Sequence, residues 1–343
     1  MCSSDLAWGE AENGGEAVGK SEYCAKRHQN EPFASLACNI VRAMTTNTTW
    51  NRAWPLLAVL GSVTALGVGT SLAKQLFPVL GAQGTSALRV GFAALILVAI
   101  WRPWRWTLAR PQAWALLRFG VALGAMNLLF YMALRTIPFG LAVAIEFSGP
   151  LAVAIYHSRR PVDFVWLALA VAGLALILPI GGVGAGGLVL EPVGIACAVG
   201  AAICWALYIL LGQRLGSIPG GQAVSLGLVF AAMVVVPFGV AEAGAKLLQP
   251  SILAFGLVVA AISSALPYTL EMMALRRLPP ATFGIALATE PAIAALMGML
   301  LLHEHLVGTQ WLAIACIMGA AMGSAITRPA AAAKAPAEVT PAG

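Results

Sequence analysis

The chain has 343 residues, 60% of them hydrophobic and only 10% charged, with a net charge of +6. Soluble domains are about half apolar and about a quarter charged, so this composition excludes an ordinary soluble fold and fits a polytopic membrane protein. The basic residues lie in short loops between apolar runs, which is a pattern of membrane orientation rather than of nucleic-acid binding.

Residues 1–50 differ from the rest. They are polar and mixed in charge, with Asn13, Gly14 and Gly15 in a row and no apolar core of the kind a signal peptide needs. Met44 opens MTTNTTWNRAWP, which reads as a short cytoplasmic lead-in. Residues 1–43 are therefore expected to derive from a misplaced start or a sequence artefact. From Trp54 apolar runs follow one another, and ten spans are predicted: 54–73, 84–101, 113–134, 137–157, 163–180, 190–211, 221–241, 251–275, 279–302 and 306–327. Each is near the roughly 20 residues that cross a bilayer at 1.5 Å per residue. Residues 328–343 are expected to form a disordered tail.

The loops after spans 2, 4, 6 and 8 hold Arg102, Arg105, Arg110, Arg159, Arg160, Arg214, Arg276 and Arg277. The loops after the odd spans hold only Lys74, Arg135 and Lys246. Eight against three places the first set, and both termini, in the cytoplasm. Trp101, Trp104 and Trp106 mark the same boundary, where indole rings favour the headgroup level. The six cysteines form no CxxC pair, and Cys197, Cys204 and Cys316 lie inside apolar runs as small apolar side chains.

An internal repeat is visible at an offset of 141. Ala133-Leu134-Arg135-Thr136-Ile137-Pro138 matches Ala274-Leu275-Arg276-Arg277-Leu278-Pro279, Pro150 falls on Pro291, and Asp163 falls on Glu304. Five spans per half is an odd number, so the halves enter the membrane from opposite sides. Inverted repeats of this kind belong to secondary transporters, with the site near the midplane between halves.

Charges within the spans are the functional clues. Glu146 stands in the middle of span 4, four residues before Pro150, and Glu290 stands in span 9 next to Pro291. Carboxylates at that depth are costly and need a partner or a purpose. A low dielectric disfavours the ionised form of a carboxylate, which suits reversible protonation. Each has proton exchange or capture of a substrate ammonium as its functional reading, against a structural carboxylate. Glu146 is favoured because Gly140, Ser148 and Gly149 thin the helix around it. Arg89 in span 2 can receive a substrate carboxylate, snorkel to an interface, or pair with a buried Glu. Asn127 and Tyr268 correspond across the repeat and are candidate cavity residues, as are Trp205 and Tyr208; the bland reading is interhelical packing. Glu271 is read as a local ion pair with Arg276 and Arg277 at the cytoplasmic edge, with a gate as the alternative. Two motifs are decoys. Gly182-x-Gly184-x-x-Gly187 lacks the strand–turn–helix context of a nucleotide site, and His303-Glu304-His305 is not HExxH. No metal or cofactor is expected.

Further runs carry a resemblance: Ala144 to Pro150 (AIEFSGP), Ser158 to Trp166 (SRRPVDFVW), Ser263 to Leu275 (SSALPYTLEMMAL), Cys204 to Tyr208 and Ser71 to Lys74. With the repeat, they resemble the drug/metabolite transporter superfamily with two EamA-type halves, and within it the bacterial threonine/homoserine exporters. The likeness covers 54–327, and the long N-terminus departs from it. It implies an all-α membrane protein of ten transmembrane helices, with five-helix repeats at 54–180 and 190–327. It also implies proton-driven efflux of small neutral amino acids across the bacterial inner membrane. The partners are then an amino acid, protons and lipid, in a monomer or homodimer. Efflux of another small metabolite or drug is the alternative, and a non-transporting membrane scaffold is the reading from another class.

Overall fold

A computed structural model of the chain describes residues 48–105, 108–158, 161–177, 191–215, 218, 220–275 and 277–327. The expectations for residues 1–43 and 328–343, for Trp106, Arg159, Arg160 and Arg276, and for the Gly182–Gly187 motif lie outside these residues.

The described residues are mostly helical, with no strand among them. The α-helices are α1 (Thr48–Lys74), α2 (Phe77–Trp101), α3 (Arg110–Ala133), α4 (Phe139–Ser158), α5 (Pro161–Ile177), α6 (Pro192–Gln213), α7 (Gly220–Ala243), α8 (Pro250–Ala260), α9 (Leu266–Leu275), α10 (Pro280–Leu287), α11 (Glu290–Leu302) and α12 (Gly308–Thr327). A π turn, Ala261–Ala265, joins α8 to α9. Eight helical segments are long and apolar enough to cross a membrane, while α4 and α5 contribute shorter apolar stretches, Phe139–Val153 and Pro161–Ile177.

Three segments depart from the simple spans expected. α2 begins at Phe77 rather than at residue 84, because Pro78 in the first turn suits a helix start, where no backbone N–H is needed. It then breaks at Gly81, whose φ of 72° belongs to glycine. The run 251–275 holds the π turn at its centre. The run 279–302 is two half-helices parted at Ala288 and Thr289, because Pro291 cannot donate to the Leu287 carbonyl four residues back.

Carboxylates tie these irregular helices together at the end of the bundle that carries Lys74. Glu242 of α7 accepts the N–H groups of Gln83 (2.6 Å) and Gly84 (3.1 Å), which the Gly81 break leaves open, and lies 3.9 Å from Arg135. A negative charge at a helix start is favourable. A Cβ at Gly81 would enter that carboxylate. Gly244 also has positive φ, 55°, but with nothing near its missing Cβ. Gly244→Ala is therefore expected to cost only the left-handed backbone, about 1–2 kcal/mol. Gly81→Ala adds the loss of charged hydrogen bonds at roughly 1.5–3 kcal/mol each. Thermal unfolding in detergent checks the ranking, with Gly81→Ala clearly the less stable.

Glu304 makes a second tie. It pairs with Lys74 of α1 at 2.6 Å and accepts the Phe139 N–H at the start of α4 at 2.7 Å. Gly298 of α11 leaves room for it, since a Cβ there would lie 2.7 Å from its Oε2. The carboxylate thus bonds α1 and α4 while resting on α11.

The helices interleave along the chain. α2 lies along α7, α3 packs on α6 and α7, α4 on α6 and α11, α5 on α12, and α8 on α2. The main buried cluster centres on α4, with Leu141, Ala144 and Ile145 fully enclosed. Glycines set the closest approaches. A Cβ at Gly149 would strike the Ala202 carbonyl of α6, and one at Gly140 would lie 2.6 Å from the Ala295 Cα of α11.

Candidate functional site

Three helices are opened in the same way. Pro150, Pro267 and Pro291 have no N–H, so the carbonyls of Glu146, Ser263 and Leu287, four residues earlier, lose their usual helical donors. At Ser263 the π turn widens the helix further, a distortion common at functional sites. α1 reaches this turn through Gly69, where a Cβ would lie 2.6 Å from the Ser263 Cβ.

These openings surround a cavity of ≈ 300 Å³. Arg89, Asn127, Glu146, Tyr268 and Glu290, the five residues singled out from the sequence, all line it. Trp205 and Tyr208 of α6 line it as well. Phe147 meets Trp205 edge to face at 5.5 Å, and Phe119 stacks on Tyr208 at 4.6 Å, so both rings are held from behind.

Arg89 is 8% exposed and held by neutral groups. Its Nε donates to Ser263 Oγ (2.9 Å), Nη1 to Asn127 Oδ1 (2.8 Å) and Nη2 to the Ser263 carbonyl (3.2 Å) that Pro267 leaves open. Asn127 is fixed in turn by donating from Nδ2 to the Leu123 carbonyl at 2.9 Å. The Tyr131 ring lies 5.5 Å from the guanidinium carbon, a cation–π distance. The guanidinium forms no ion pair among the described residues. Arg89 is thus buried, in electrostatic reach of Glu146 and Glu290 and without a direct ion pair to a described glutamate.

Glu146, 7% exposed, and Glu290 face the cavity without a hydrogen bond or ion pair to a described residue. They lie within each other's electrostatic reach and within that of Arg89. Glu290 occupies the first turn of α11, where the helix end carries partial positive charge. The small residues beside Glu146 do not enlarge the cavity. Gly140 and Gly149 are contact points, and Ser148 Oγ turns back to the Ile145 carbonyl.

Sequence reasoning missed three members. Glu271 lines the cavity and accepts a hydrogen bond from Ser62 Oγ at 2.7 Å. It has no ion pair with Arg277, and Arg276 lies outside the described residues. Ser263, with Pro267 four residues later, carried a usable signal: a hydroxyl beside a carbonyl that proline strips of its donor. Ser62 carried none.

Comparison with known proteins gives the setting. The EamA-like transporter family matches residues 192–326. The threonine/homoserine exporter RhtA of Salmonella typhimurium is 50% identical over 273 residues, covering 80% of this chain and 92% of that protein. The RhtA of Escherichia coli K12 is 49% identical over the same coverage. The chain belongs to the EamA-like transporter family. A solved crystal structure, 20% identical, shares the fold with a TM-score of 0.51 and covers 78% of this chain and 97% of its own. An EamA transporter moves its ligand and does not transform it, so the cavity is read as a transport site and not a catalytic one. The match over 192–326 takes in α6 to α12, which supply Tyr268 and Glu290; α2, α3 and α4 supply Arg89, Asn127 and Glu146.

Proposed function

We propose that the chain exports small neutral amino acids of the threonine/homoserine type by proton antiport across the bacterial inner membrane. One observation carries the reading: a guanidinium and carboxyls without ion pairs among the described residues share one cavity. An amino acid in water is a zwitterion, and a low dielectric makes either charge costly if left alone. Arg89 uses three of its five N–H donors on neutral partners, and the substrate carboxylate takes the remaining two. The ammonium goes to Glu146, with Glu290 behind it. A proton arriving from outside neutralises that carboxyl and releases the ammonium, which couples the two flows. The cavity volume is at the small end of ligand sites and suits a small amino acid better than a drug. The sequence identity to the RhtA exporters supports the same substrate class.

The same proposal holds that ten segments form two inverted halves with both termini cytoplasmic. The interleaved packing supports it. α2 with α7, and α5 with α12, are each pairs that an offset of five spans maps onto themselves, while α3 on α7 mirrors α8 on α2. Cysteine labelling in intact cells is expected to find Ser158–Pro161 inside and His303–His305 outside. Both loops on one side would sink the inverted arrangement. For transport, purified protein in liposomes is expected to move labelled threonine and homoserine faster under an imposed pH gradient. Equal rates with and without the gradient would remove proton coupling.

A further inference from the structure

We infer that Glu271 holds a proton during the transport cycle, as the station of the cavity on the side where α9 ends, with Ser62 as its positioning residue. This rests on the proton-coupled reading above. The charge balance of the cavity comes first. Among the described residues that line it, Arg89 is the one cation, against Glu146, Glu271 and Glu290. A zwitterionic substrate adds no net charge. With all three acids ionised, one guanidinium leaves two negative charges uncompensated, bound or empty, in a place where even one is costly. The fully ionised cavity is therefore disfavoured, and its carboxyls share protons as the cycle proceeds.

Position comes second. Glu146, Glu271 and Glu290 line the same cavity, with Glu146 and Glu290, and Glu290 and Glu271, in electrostatic reach of each other. Glu271 stands four residues from the last residue of α9 and meets Ser62 of α1, the helix that ends at Lys74. The groups facing it are Ser62 from α1, Tyr208 from α6, Tyr268 from its own helix and Glu290 from α11. Its described neighbours include no Lys or Arg paired with it, so its charge changes by gain or loss of a proton.

Local chemistry comes third. Ser62 Oγ is 2.7 Å from Glu271 Oε1 and 3.3 Å from the Pro267 carbonyl. When Glu271 is ionised the hydroxyl hydrogen points to the carboxylate. When Glu271 is protonated it turns to the carbonyl and leaves an oxygen lone pair for the acid. One serine thus serves both charge states. In the transfer, the O–H bond on Glu290 breaks and one forms on Glu271, either directly or through water. The negative charge moves to Glu290, and Glu271 then gives its proton to water.

The test uses liposomes loaded with a pH-sensitive dye and labelled homoserine. Glu271→Gln removes the titrating group and is expected to cut pH-gradient stimulation and dye-reported proton movement by about tenfold or more, about 1.4 kcal/mol. Homoserine exchange at equal pH is expected to fall by less than about threefold, which is under 1 kcal/mol. Glu271→Asp restores the stimulation in part, and Ser62→Ala shifts the pH of half-maximal flux while leaving abundance unchanged. Full stimulation in Glu271→Gln overturns the inference. So does an equal loss of exchange and stimulation, which makes Glu271 a substrate or packing residue. If the unsubstituted protein shows no stimulation, the proton-coupled reading falls first, and this one with it.

Discussion

Glu146→Gln is expected to insert normally and to lose gradient-driven export. Glutamine keeps the size of the side chain and can still accept a hydrogen bond, so the packing of α4 on α6 and α11 has no reason to change. The helix is held there by Gly149 against Ala202 and Gly140 against Ala295, not by the carboxyl. What disappears is the charge that pairs with an ammonium and the oxygen that takes a proton. A charged hydrogen bond is worth about 1.5–3 kcal/mol, so substrate affinity falls by roughly 10- to 100-fold. Gradient stimulation is expected to vanish altogether, because coupling needs a group that changes charge. Glu290→Gln is expected to be milder, since Glu290 sits in the first turn of α11, where the helix end favours its charge. The measurement is homoserine flux from vesicles under an imposed pH gradient, normalised to protein amount. Wild-type stimulated flux in Glu146→Gln would move the coupling role to Glu290.

The five residues chosen from sequence share one cavity for a simple reason. A polar or charged side chain in an apolar run has few places to go, and the interior between helices is the common one. Glu146, Glu290, Arg89, Asn127 and Tyr268 stood out against that background, and the prolines beside two of them marked opened backbone. Glu271 was legible as a charge but not as a cavity residue. It sits near Arg276 and Arg277 in sequence, and that proximity pointed to an ion pair. The π turn at Ala261–Ala265 inserts one extra residue, which rotates everything after it by about 100° relative to an unbroken helix. A helical face traced through this segment therefore assigns Glu271 to the wrong side.

The ties at the Lys74 end were illegible for a different reason. Glu242 and Glu304 each look like ordinary charges at the edge of a span. Their partners are backbone N–H groups of other helices: Gln83 and Gly84 for one, Phe139 for the other. Backbone donors leave no trace in composition. The Gly81 break that exposes Gln83 and Gly84 also needs the structure, because a glycine in an apolar run more often marks close packing. The hydropathy of the runs did carry the all-helical, multi-span character, since each described α-helix lies within or overlaps an apolar segment read from the chain.

Arg89 gives the other large effect. Substitution by Gln removes the charge and the two N–H donors left for a substrate carboxylate, and it strips the Ser263 carbonyl of its donor from α2. Apparent affinity for homoserine is expected to fall by about 100-fold, as for loss of one to two charged hydrogen bonds. Arg89→Lys should recover only part of this. An ammonium is a point charge and cannot hold Asn127, both groups of Ser263 and a carboxylate in one planar fork. A second readout separates recognition from damage to the fold. Competition by an amino acid is compared with competition by its amide, which keeps the ammonium but lacks the carboxylate. The unsubstituted protein should prefer the acid by about tenfold or more, the worth of a bidentate charged contact. Arg89→Gln should lose the preference while still binding weakly. A variant that keeps the acid-over-amide preference would show that Arg89 holds helices together and leaves the substrate carboxylate to another group.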